Sequence, residues 1–182
     1  FFSRLSTRCS VRFVAFVNEE PPFFMTSRMG SLIYAREARR RGDQILFMAC
    51  LETIGYYTGV PGSQSYPPLF RFFYPDRGNF IALVSDIRSR GVMLRMARAF
   101  RQHSDFPLES TTGVSFIPGI AWSDHAAFWE QGYQAFMVTD TAPFRYPFYH
   151  TAEDTPDKVD YPSLARVVAG LGGALAELAG VR

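Results

Sequence analysis

The sequence predicts an α/β fold, a three-layer α/β/α sandwich built on a mostly parallel mixed sheet. Short apolar runs of strand length alternate with longer amphipathic stretches of helical period, the pattern of strands crossing over through helices. Acids stand just beyond several of those runs (Glu19-Glu20, Glu52 and Asp140), and in open α/β sheets functional groups gather at the carboxyl ends of strands. No internal repeat, low-complexity tract or boundary divides the chain, so residues 1–182 are read as one domain.

Residues 11–17 form a continuous apolar run broken only by Arg12, read as a strand covered on both faces. Residues 27–41 are predicted helical, with Met29, Leu32, Ile33 and Ala35 on the apolar side and arginines opposite. Gly42 supplies the stop. Residues 44–51 read as a second buried strand ending at Glu52. Residues 55–78 hold most of the Gly and Pro punctuation and form a long surface excursion, which in a compact domain is often functional.

Residues 80–84 are a third strand, and residues 87–102 a basic amphipathic helix carrying Met93, Leu94, Ala97 and Phe100. A short strand over 108–114 and a short helix over 124–131, with Ser123 as its N-cap, come next. Residues 133–138 are another buried strand. After a loop over 139–160, residues 162–179 form the terminal helix, with Leu164, Val167, Val168, Leu171, Leu175 and Leu178 at spacings of three and four.

The composition suits a globular domain with an aromatic interior: 47% of residues are hydrophobic, and there are 18 Phe and 9 Tyr. A formal charge of +2 and no basic run longer than Arg39-Arg40-Arg41 argue against a nucleic-acid partner. No apolar stretch approaches the roughly 20 residues needed to span a bilayer. The two cysteines, Cys9 and Cys50, are too few for a disulfide framework, and Cys50 reads as a buried thiol. The chain starts at Phe1 without a signal-peptide pattern, so its start is read as a processed or truncated end.

Adjacent carboxylates near a buried strand are costly unless a cation meets them. A water that attacks an amide needs a metal to lower its pKa and a carboxylate to take its proton, and neighbouring acids can divide those roles. Glu19 and Glu20 suit that division, with a solvated turn as the alternative reading. Glu52 is placed to reach a shared cation, or is simply the first polar residue after a strand.

Of the three histidines, His103 ends a helix, where a cation suits the dipole. His150 lies among Thr151, Glu153, Asp154 and Thr155, groups able to fix an imidazole ring. His125, within Ser123-Asp124-His125, is open between a capping segment and a site role. A serine triad is disfavoured, because its members converge in space and are not consecutive, and no Gly-x-Ser-x-Gly elbow occurs.

Four segments in order resemble the zinc-dependent exopeptidase family of bacterial leucine aminopeptidases, aminopeptidase Y and glutaminyl cyclases. They are Phe16-Val17-Asn18-Glu19-Glu20, Leu51-Glu52-Thr53-Ile54-Gly55-Tyr56, Ser123-Asp124-His125-Ala126-Ala127-Phe128 and Tyr149-His150-Thr151-Ala152-Glu153-Asp154-Thr155. The resemblance implies a zinc-dependent aminopeptidase acting on peptide N termini, with one or two zinc ions in the full family site. It makes Glu19 the general base, Glu20 and His150 ligands of one zinc and Glu52 a ligand of the second. Asp124, His125 and Asp154 would stand behind those ligands. Many relatives are secreted.

The resemblance also implies something absent. Family members carry a His-x-Asp element upstream of the paired glutamates, and residues 1–18 contain none. The chain is therefore read as lacking the N-terminal portion of the family domain, with impaired activity by itself. An exposed apolar sheet surface is expected in consequence, which a homo-oligomer would cover. A non-catalytic binding or assembly relative and a glutaminyl-cyclase-like acyltransferase are the alternative functions. The partner otherwise implied is a peptide substrate.

Overall fold

The computed structural model describes residues 2–181. In chain order its α-helices and strands are α1 (Gly30–Arg41), β1 (Met48–Glu52), β2 (Ile81–Ser85), α2 (Arg90–His103), β3 (Leu108–Thr112), α3 (His125–Glu130), β4 (Ala135–Thr139), α4 (Ala142–Arg145) and α5 (Tyr161–Leu178). The four strands form one sheet in the order β1-β4-β2-β3. The β1–β4 and β2–β3 pairs are parallel, and the central β2–β4 pair is antiparallel. The predicted mixed α/β architecture is thus present.

The central strands are the most apolar because both faces are covered. All five residues of β2 and all five of β4 are buried. On one face, Ile81, Leu83, Phe136 and Val138 meet Val92, Met96 and Phe100 of α2 and Val167 and Leu171 of α5. The α2–α5 crossing is close: a Cβ on Gly170 would meet the Phe100 ring at 2.6 Å, so only glycine fits. On the other face, Ala82, Val84 and Met137 meet Ile117, Ile120 and Tyr66. Helices α1 and α3 join that side through Ala35, Phe128 and Ala135.

Local signals act as expected at several ends. Gly42 takes a left-handed φ of 74° and returns its N–H to the last carbonyls of α1. Asp160 caps α5 by accepting the Ser163 N–H at 3.0 Å, with Pro162 in the first turn.

Three expectations are corrected. Residues 11–17 are not a strand: they lie outside every described ladder, and Phe13 is 73% exposed and Val17 67%. The run is held by contacts with α1 and α3 instead. The Gly30 N–H donates to the Val17 carbonyl at 2.9 Å, and the Phe16 ring meets Tyr34 and Phe128. Apolar composition alone makes no strand without a neighbour to satisfy the backbone.

The strand predicted over 44–51 begins only at Met48, because its partner β4 emerges from a turn at Gly132 and starts at Ala135. The helix predicted from residue 27 starts at Gly30, and Ile33, assigned to its apolar side, is 50% exposed.

Candidate active site

Glu52 closes β1, in register with Thr139 of β4. Its Oε2 accepts a hydrogen bond from the Ser123 hydroxyl at 2.6 Å, and the Cys50 thiol lies 3.3 Å from the same hydroxyl. Ser123 is therefore turned toward β1 and does not cap α3; Asp124 holds the cap position, without a side-chain capping bond.

Glu19 and Glu20 follow a tight turn. Asn18 takes a left-handed φ of 60°, and its side-chain amide donates to the Arg28 carbonyl at 3.2 Å. That turn leaves Glu19 half-buried and Glu20 exposed. Glu20 Oε1 lies 3.3 Å from His150 Nε2. The His150 backbone is also left-handed, at φ 58°, and its ring stacks on Tyr149 with centroids 3.9 Å apart.

These groups also act on one another electrostatically. Burial, then Glu52, Asp124 and Glu20, push the Glu19 carboxyl up to about 7, with the Ser123 hydroxyl drawing it partly back. Burial, offset by the Ser123 bond, also raises Glu52, where Glu20, Asp124 and Asp140 add repulsion. Burial raises Asp124, with the nearby Ser31 hydroxyl drawing it partly back, and its Oδ1 makes no hydrogen bond of normal geometry. The Tyr149 hydroxyl is pushed up to about 12 by burial and by Glu52, Glu20 and Glu19.

Glu19, Glu20, Glu52, Asp124 and His150 are thus brought together from four separate segments. Two other residues named from the sequence are not. His125 is fully buried; its Nε2 pairs with the Ile120 carbonyl at 2.8 Å, its ring meets Trp129 edge-on, and burial drives its pKa down to about 4. Asp154 accepts the Tyr146 hydroxyl at 2.7 Å in an exposed loop, and the ion-pair partner of His150 is Glu20. His103 lies outside the site, 3.3 Å from Glu177.

Asp140 stands beyond a strand end, as the sequence indicates, but its work is structural. It is buried, and its Oδ2 accepts the N–H groups of Gly55 and Tyr56 at 2.8 Å each, which fixes the chain leaving β1. Ser123 and Tyr149 were not foreseen as members of the site. Their adjacency to Asp124 and His150 was the available signal.

Crowded acids with one imidazole suit a divalent cation in kind: they lack positive charge, and one buried oxygen lacks a partner. In number they fall short. Zinc takes three or four protein ligands, and Glu20 and His150 are a contacting pair. Among the described residues no group of three or more His, Cys, Asp and Glu is arranged to hold a metal ion.

The crowding predicts an unusual pH dependence. A carboxyl whose folded pKa is raised stabilises the fold below its ordinary value, 4.5 for Glu19, and loses that contribution as pH rises toward about 7. Glu52 and Asp124 act in the same direction. Thermal melts without metal should show a higher Tm at pH 5 than at pH 7.5. The Glu19 part is on the order of 1 kcal/mol after allowing for solvent screening, or about 2–4 °C. Glu19→Gln should raise Tm at pH 7.5 and flatten the profile. A wild-type Tm that climbs between pH 5 and 7.5 would refute this.

Beside the acids lies a cavity of ≈ 830 Å³ including its open mouth, and Glu52 and Tyr149 are on its wall. Its floor is the sheet face that carries Thr139, Ala82, Met137 and Val84. Aromatic pairs wall it: Tyr66 and Phe70 each meet Tyr74, and Trp122 stacks on Phe144.

The profile of Peptidase family M28 matches residues 3–173 of the chain. The YfbL protein of Escherichia coli strain K12 is 41% identical over 165 residues, covering 90% of this chain and 50% of that one. Among solved structures, LapA of Legionella pneumophila superposes with a TM-score of 0.61 at 18% identity, over 83% of this chain and 36% of that one. An aminopeptidase from Aneurinibacillus sp. strain AM-1 gives 0.54 at 21% identity, over 84% and 31%. BSAP, a zinc aminopeptidase from Bacillus subtilis, gives 0.55 at 18% identity, over 83% and 32%. At such identities these structures show a shared fold. The chain spans half the length of the curated relative it matches.

Proposed function

The chain belongs to Peptidase family M28, and on that premise we propose that it carries part of the active site of a zinc-dependent aminopeptidase. The observation behind this reading is the convergence of Glu19, Glu20, Glu52 and His150 beside one cavity. Glu20 and His150 would hold one zinc ion, and Glu52 would contribute to a second. Three ligands do not fill two zinc shells, so further ligands would be needed to complete the site.

When bound, zinc would polarise a substrate carbonyl and lower the pKa of an attacking water. The chain's own residues do the rest. A carboxylate oxygen of Glu19 takes the proton from that water and later delivers it to the leaving amine nitrogen. Its elevated proton affinity suits a base that must hold a proton between the two steps. The Ser123 hydroxyl fixes the orientation of Glu52. The Tyr149 ring, stacked on His150, holds the imidazole toward Glu20.

The test compares the 182-residue chain with a version extended upstream by a His-x-Asp segment of the family. The chain alone should retain less than stoichiometric zinc after dialysis and turn over aminoacyl anilides poorly. The extended protein should hold zinc and release the anilide, and a chelator should abolish that release. A zinc-loaded extended protein that cleaves no aminoacyl anilide would refute the peptidase reading. Brisk turnover by the short chain would refute the partial site.

A further inference from the structure

Glu109 is an acid with no part in the machinery above, yet it lies on the wall of the same cavity. Pairing across the sheet aligns Glu52 with Thr139, Thr139 with Ala82 and Ala82 with Glu109. All four residues line the cavity, so its floor runs along one transverse row of the sheet with a glutamate at each end. Three strand spacings separate those ends, about 14 Å between Cα atoms.

The Glu109 end is built differently from the Glu52 end. The rings of Tyr66, Phe70 and Tyr74 are grouped there, with centroids 5.9 Å apart for Tyr66–Tyr74 and 6.0 Å for Phe70–Tyr74. The Tyr74 hydroxyl donates to the Ser110 carbonyl at 3.2 Å, which ties this group to β3. Glu109 acts electrostatically on the Tyr66 hydroxyl, so the carboxylate and the rings are neighbours. The Glu109 carboxylate is half-buried and makes no hydrogen bond or ion pair with a described residue. The cation that acts on it is Arg101, whose Nη2 is committed to the Leu108 carbonyl at 2.9 Å.

We propose that this cavity receives a long side chain ending in a cation, that of lysine or arginine, with Glu109 as its specificity-determining residue. An apolar trough suits a methylene stem, aromatic faces attract a cation within about 6 Å, and an unpaired carboxylate completes the charge match. The substrates are then peptides with an N-terminal lysine or arginine. Only the identity of the broken bond rests on the aminopeptidase reading; what the pocket binds does not.

The test is binding to the 182-residue chain, measured by titration calorimetry with lysinamide and with norleucinamide. The two share the α-amine and the stem, so the acids around Glu52 act equally on both. Lysinamide should bind roughly tenfold or more tightly than norleucinamide. Glu109→Gln should remove that preference and leave norleucinamide binding unchanged, which also reports that the cavity is intact. Glu109→Lys should invert the preference. Equal binding of the two amides, no binding of lysinamide, or a preference that survives Glu109→Gln would overturn the proposal. Hydrolysis is not part of this measurement. A lysinamide preference in a protein that cleaves nothing refutes the peptidase reading alone, and cleavage of aminoacyl anilides without that preference refutes the pocket assignment alone.

Discussion

Glu19→Gln, made in the upstream-extended protein, should lower kcat by about two to four orders of magnitude while zinc stays bound. The substitution keeps the shape of the side chain and removes its ability to take a proton. Glu19 is half-buried beside Glu52, Asp124 and Glu20, and its proton affinity is raised by burial and by those neighbours. A base in that setting operates near neutral pH. KM should change little, because the lost interaction belongs to the transition state. Loss of zinc on the same substitution would make Glu19 a ligand and return the role of base to another group.

The second large effect is expected at the contacting pair. Glu20→Ala and His150→Ala should each weaken zinc binding by about a hundredfold, since about 10–16 kcal/mol of binding is shared among roughly four ligands. The two losses should not add, because the two side chains contact each other and would act as one unit. Competition with a chromophoric chelator reads both constants. His125→Asn, by contrast, should leave zinc affinity unchanged and lower stability, since that ring is buried against Trp129 and bonded to the Ile120 carbonyl. Unchanged zinc affinity in both Glu20→Ala and His150→Ala would remove the pair from the site.

The fold was legible where burial has a period. The spacing of Met93, Ala97 and Phe100 placed α2, the fully apolar runs placed β2 and β4, and Gly42 marked the end of α1. Residues 11–17 misled because hydropathy reports a wish for burial and says nothing about a strand neighbour. In the site, the acids and His150 were legible as residue types at the ends of segments. The partners were not: Ser123 could cap a helix or turn to Glu52, and only the packing of α3 against β1 and β4 decides. His125 illustrates the converse. A histidine directly after Ser123 and Asp124 opens α3 facing inward and becomes core. Glu109 was invisible as a candidate because it lies within a strand, and only the register across three strand pairs sets it opposite Glu52.

The central claim is that Glu20 and His150 hold a metal that Glu19 serves as base. Anomalous diffraction at the zinc edge, from crystals of the upstream-extended protein, tests it most directly. The account predicts a zinc peak within about 2.0–2.2 Å of a Glu20 oxygen and a His150 ring nitrogen, with the Glu19 carboxylate outside the coordination shell. A zinc peak coordinated by Glu19, or one remote from Glu20 and His150, would contradict it.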